Sequence, residues 1–88
     1  MAMNVRRLTL TTSPAAILSG STYKRATIIP QGGTGVTLYL YPTSSGDTST
    51  GARYNTSLGP MVVDVGPGEN FYMYTGSSTY AVDVIEQD

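Results

Sequence analysis

The sequence predicts an all-β protein, a small antiparallel β-sandwich or barrel of roughly seven short strands. Three observations carry that expectation. Runs rich in Val, Ile, Thr and Tyr alternate with period two, as strands with one buried face require. Clusters of Gly, Pro and Ser punctuate them at close spacing, and no segment has a convincing helical pattern.

The elements follow in order. Asn4 to Thr12 alternates Val5 and Arg7 against Arg6, Leu8 and Leu10, and Ser13-Pro14 ends this first strand because proline cannot donate to a ladder. Pro14 to Leu18 is expected to be a second short strand carrying Ile17 and Leu18 into the core. Ser19-Gly20-Ser21 turns the chain. The centre is Arg25 to Pro42, two β-rich runs joined by Gly32-Gly33-Thr34-Gly35, expected to be a hairpin whose glycines supply positive φ. There Ala26 and Ile28 face away from Thr27 and Ile29, while Val36, Leu38 and Leu40 face away from Thr37, Tyr39 and Tyr41. Pro42 to Asn55 is polar and expected to be an exposed loop. Met61 to Val65, Phe71 to Thr75 and Thr79 to Glu86 complete the strands, with a Gly66-Pro67-Gly68-Glu69 turn between the first two. The expected core is Leu8, Leu10, Ile17, Leu18, Ile28, Val36, Leu38, Leu40, Val63, Val65, Phe71, Val82 and Val84.

The 88 residues are expected to form one β domain, with an N-terminal arm over residues 1–12 and the exposed loop over 42–55. A chain this short buries roughly 60–65% of its unfolded surface, so oligomerisation is an expected source of added stability. Cys and His are both absent, which removes disulfides, thiolate metal sites and the usual catalytic triads. Charged residues make up only 12% of the chain, while Thr numbers thirteen and Ser nine, a surface suited to contact with other protein. Arg6, Arg7, Lys24 and Arg25 all precede the first acid, Asp47. Early basic strands lying beside late acidic ones within one fold explain that polarity, and steering between subunits is the alternative. No membrane span, nucleic-acid footprint or secretory signal is read, and Asn55-Thr56-Ser57 is taken as a chance glycosylation triplet.

Candidate chemistry is sparse. A carboxylate pair is conceivable, with Asp64 and Asp83 as candidates, and each is expected at a solvent-facing strand position. Asp64, Glu69, Asp83, Glu86 and Asp88 are too scattered for a calcium cage, so no cofactor or metal is expected. Gly32-Gly33-Thr34-Gly35 lacks the ending of a phosphate loop. Arg53 and Tyr54 are the expected contact residues of the polar loop, since Arg and Tyr concentrate at interface hot spots. Tyr39 and Tyr41, with Tyr72 and Tyr74, are candidate stacking platforms for glycans, and more simply the second face of a sheet.

Three stretches in order, LTLTTSPAAIL, RATIIPQGGTGVTLYL and GPGENFYMYTGSSTYAVDVIE, carry a resemblance. Together they resemble the small all-β virion accessory proteins of tailed bacteriophages, the capsid decoration or cement type. The resemblance spans most of the chain and rests on turn chemistry and strand patterning. Pro30-Gln31 and the Ser/Thr loop from Thr43 to Thr50 depart from it. It implies a non-enzymatic structural protein located on the virion surface and made in the host cytoplasm. Its implied partners are the major capsid protein and its own copies, a trimer being favoured. Arg6 and Arg7, on a basic early strand free to pair at a sheet edge, are then the expected capsid contacts. The alternatives are a tail or neck accessory and a host-glycan-binding adhesion module.

Overall fold

Eight strands build two four-stranded antiparallel sheets in the computed structural model, which describes residues 3–88. In chain order they are β1 (Met3–Leu10), β2 (Ala15–Ala16), β3 (Arg25–Pro30), β4 (Thr37–Tyr41), β5 (Ala52–Asn55), β6 (Met61–Asp64), β7 (Tyr72–Thr75) and β8 (Tyr80–Gln87). A single 3₁₀ turn, Thr56–Leu58, follows β5, and its N-cap is Asn55, whose side chain accepts from the Ser57 N–H. The glycosylation-like triplet is thus a capping device.

The strand orders are β1-β8-β3-β6 and β2-β7-β4-β5. Four of the ladders are nested: β1 with β8, β2 with β7, β3 with β6, β4 with β5. The chain is therefore one long antiparallel ribbon doubled over at residues 42–51. Rolling the ribbon until β3 also meets β8, and β4 also meets β7, closes the two sheets. This is a jelly roll, the double-sheet solution to the edge-strand problem. Of the small antiparallel sandwich or barrel of about seven strands expected from the strand pattern, the structure is the sandwich, with eight strands.

Period two decides which side chains meet between the sheets. Leu10, Ile17, Leu18, Ile28, Leu38, Phe71, Val82 and Val84 are buried as expected, and Leu8, Val36, Leu40, Val63 and Val65 pack partly buried against them. Each fully buried aliphatic contributes about 1.5–3 kcal/mol. Ala26, Tyr54, Met73 and Tyr80 join this core, adding to the expected set.

Three expectations are corrected. The Arg25–Pro42 stretch is not a hairpin, because β3 and β4 lie in different sheets. Of the connector's glycines only Gly35 has positive φ. Gly32 lies against the Tyr80 ring, where a Cβ would come within 2.7 Å, and the Gly33 carbonyl accepts from Tyr80 Oη (2.8 Å) and Thr56 Oγ1 (3.1 Å). The glycines thus permit a close crossing between sheets. The polar loop ends at Gly51, since 52–55 pairs with β4 as β5. Residues 3–10 of the expected arm are an edge strand paired along its whole length to β8, and residues 1–2 lie outside the described residues.

Candidate interaction surfaces

The outer face of the β2-β7-β4-β5 sheet collects tyrosines. Leu38 and Leu40 turn inward, so Tyr39 and Tyr41 turn outward, and the register sets Tyr39 beside Tyr74 and Tyr41 beside Tyr72. On the other side of β4, Arg53 lies opposite Tyr39. The Tyr39 and Tyr74 rings stack at 5.5 Å with an interplanar angle of 14°. Tyr39, Tyr41 and Tyr72 are half-buried and Arg53 is exposed.

Tyr74 is covered by the 42–51 loop. Its hydroxyl donates to the Asp47 carbonyl at 2.6 Å, and burial pushes its pKa up. Gly46 and Gly51 lie so close to the Tyr74 hydroxyl that neither has room for a Cβ, which at Gly46 would come within 2.7 Å. The Asp47 carboxylate accepts from Ser49 Oγ (2.7 Å), Ser49 N (2.9 Å), Thr50 N (3.0 Å) and Thr50 Oγ1 (3.1 Å). Those bonds, Ser49 Oγ foremost, hold its pKa below the ordinary value. Ser49 and Thr50 are therefore wired to one carboxylate, while Thr43 and Ser45 bond each other.

The other four-stranded sheet sends its even-numbered β1 side chains inward. Arg6 Nε donates to Glu86 Oε1 at 2.6 Å, and its Nη2 donates to the Ile17 carbonyl. Glu86 is 0% exposed and also accepts from Ser19 N and Ser19 Oγ, both at 2.8 Å. Burial pushes the Glu86 carboxyl up, and the bonds from Ser19 and then Arg6 more than reverse this, leaving it below its ordinary value. On the outward face Arg7 Nε pairs with Asp83 Oδ1 and Arg25 Nε with Asp64 Oδ1, each at 2.7 Å. These arginines, through their hydrogen bonds first, lower the pKa of both aspartates. The charge polarity of the sequence is thus resolved within the fold: Arg6, Arg7 and Arg25 all meet late acids.

The four expected partner contacts and the two expected recognition tyrosines occupy four environments. Tyr39, Tyr41 and Arg53 come together on the tyrosine face. Arg7 lies on the outer face of the other sheet. Arg6 is a bridge to buried Glu86, because the one-residue step from Arg7 reverses its direction. Tyr54 is 5% exposed and its hydroxyl donates to the Gly59 carbonyl, so it is a core residue and no surface contact. Asp64 and Asp83 are separated by β3 and each has its own arginine, so they form no dyad. Sequence reasoning missed Glu86 and Tyr74 as organising groups, although the inward frame Tyr80, Val82, Val84 extends to Glu86 by period two.

A cleft of about 410 Å³ opens between Leu40, Val63, Val65 and Phe71, bordered by Asp64, Glu69 and Asn70. Its polar groups have structural partners. Glu69 Oε1 accepts from the Gly66 N–H (2.9 Å), and Asn70 clamps Leu18 through both its amide nitrogen and its oxygen (2.8 and 2.9 Å). Among the described residues, no group of three or more His, Cys, Asp or Glu is placed to hold a metal ion, and no helix is long and apolar enough to cross a membrane. Comparison with protein-family models, curated proteins and solved structures gives no match to this chain.

Proposed function

We propose that this protein is a structural virion protein that decorates or cements a bacteriophage capsid by binding the major capsid protein. The observation that carries the reading is the tyrosine face. Arg53, expected from sequence as a partner contact, lies on one sheet face with Tyr39 and Tyr41, expected there as recognition residues, and Arg and Tyr are the residue types that dominate interface hot spots. The jelly roll recurs in viral capsid domains, which supports the reading by analogy of fold alone. A decoration protein acts by adding buried contact where capsomers meet, and a specific contact typically buries ~1,200–2,000 Å² in total.

The test mixes the purified protein with emptied, expanded phage heads and counts bound copies by quantitative gel or cryo-EM. Saturation over the lattice is expected, with Arg53→Ala and Tyr41→Ala each weakening binding at least tenfold while unfolding is unchanged. Binding at one vertex alone would reassign the protein to a neck or tail. No binding, with glycan-array signal that Tyr41→Ala removes, would favour adhesion instead, a reading to which the half-buried Tyr41 beside the cleft lends support.

A further inference from the structure

The outer face of the β1-β8-β3-β6 sheet has no neighbour within the fold. The registers align Val5, Ile85, Thr27 and Val62 in one row across all four strands. One flanking row holds Arg7, Asp83 and Ile29, and the other holds Met3, Gln87, Arg25 and Asp64. Of the four large hydrophobic residues that stay exposed, three lie here: Met3 at 62%, Val5 at 62% and Val62 at 56%. Scattered exposed aliphatics need no explanation, whereas here Val5 and Val62 share one face in a row, broken by Thr27, that charged rows frame on both sides.

The order of the charges indicates the partner. At one corner the base Arg7 is on the edge strand β1 and its acid, Asp83, is inside on β8. At the diagonally opposite corner the acid Asp64 is on the edge strand β6 and its base, Arg25, is inside on β3. The face is therefore charge-balanced, and the order of base and acid reverses through its centre. Each corner is neutral overall, so a partner of single sign gains nothing net there, whereas a second copy can set base over acid at both corners. Three strand spacings and four residues of rise both come to about 14 Å, so the patch is nearly square. A two-fold axis lying in the face along the other diagonal, the one through the Met3 corner, maps this square onto itself and crosses the strands of the two copies at near right angles. It sets Arg7 of each copy over Asp64 of the other, while the apolar rows cross at the centre.

We propose that this protein self-associates as a two-fold dimer through the outer face of the β1-β8-β3-β6 sheet, with Arg7 of each copy facing Asp64 of the other. A four-stranded face is small beside the ~800 Å² per partner of standard interfaces, so the dimer is weak and concentration-dependent. The inference is independent of the capsid assignment, and its test uses the protein alone.

Sedimentation equilibrium of the full chain across the micromolar range should show monomer and dimer in exchange. Arg7→Asp alone sets a new carboxylate against Asp64 of the other copy, and Asp64→Arg alone sets a new guanidinium against Arg7. Each variant by itself should therefore dimerise at least tenfold more weakly. Mixing the two variants should restore a heterodimer near wild-type affinity, because every cross pair is then opposite in sign. Val62→Lys, at an exposed position, should also abolish the dimer with unfolding unchanged. A strictly monomeric or trimeric wild type, or a mixture no tighter than its components, would overturn the proposal. Failure of head binding with this dimer intact would remove the capsid reading alone.

Discussion

Replacing Arg6 with Met tests whether the buried carboxylate of Glu86 organises the β1-β8 edge. The substitution keeps the apolar stem and removes the guanidinium. Glu86 then loses one charge-assisted hydrogen bond, about 1.5–3 kcal/mol, and the Ile17 carbonyl loses a donor, about 1 kcal/mol more. Removing one member of a buried pair typically costs about 3–5 kcal/mol, and the Arg6 side chain is 28% exposed, which favours the lower end. The expected loss is about 3 kcal/mol, or roughly 12–24 °C in Tm for a domain of this size. That is a large share of the ~5–15 kcal/mol typical of a whole domain. Urea unfolding at pH 7 and near pH 4 supplies the assay. The cost should shrink at the lower pH, where Glu86 without Arg6 takes up a proton and ceases to be an unpaired buried charge. Arg6→Met with Glu86→Leu should recover much of the loss, because a packed apolar pair needs no ion partner. A loss below about 1 kcal/mol, or one equal at both pH values, would refute the reasoning.

Acid should destabilise the fold in a definite window. Asp47, Asp64, Asp83 and Glu86 all have folded pKa values below their ordinary ones, so the stability they confer is complete above the unfolded values of about 4–4.5 and is lost as pH falls through the lower folded values. The urea midpoint should stay level from neutral pH to about 5 and then drop, and a midpoint that rises on acidification would contradict this. Tyr74→Phe should cost about 1 kcal/mol and release the 42–51 loop, which limited proteolysis would register as faster cleavage within that loop.

The strands were legible because one face of each is buried. In β8, Tyr80, Val82 and Val84 go in while Ala81, Asp83 and Ile85 go out, and period two expresses that directly. Pairing was not legible. A Gly-Gly-Thr-Gly run between two β-rich segments is a strong local hairpin signal, yet here the Tyr80 ring fills the space beside Gly32 and the Thr56 hydroxyl bonds the Gly33 carbonyl. Both partners lie more than twenty residues away, so the signal that decides the turn is absent from the turn itself. Tyr54 misled for a related reason. Its neighbours are polar and loop-like, but a strand alternates, and Arg53 and Tyr54 must then point to opposite sides. The same rule separates Arg6 from Arg7.

Nested pairing also determines how the surfaces can be used. Deleting residues 1–12 would remove Leu10 and Arg6 and uncover the β8 edge, so a test of capsid contact by truncation would report unfolding. Point changes on the outer faces avoid this, because those side chains lie outside the core. The two faces point in opposite directions and differ in chemistry. One is a charge-balanced apolar row and the other an array of tyrosines with a single arginine. A dimer closed through the first presents two copies of the second, facing away from each other. On the two proposals together, such a particle would bind two sites at once, its second contact forming at the effective concentration set by a rigid body instead of a flexible linker. Weak individual faces would then suffice to hold neighbouring subunits together, which is the mechanical requirement of the proposed seam-bridging role.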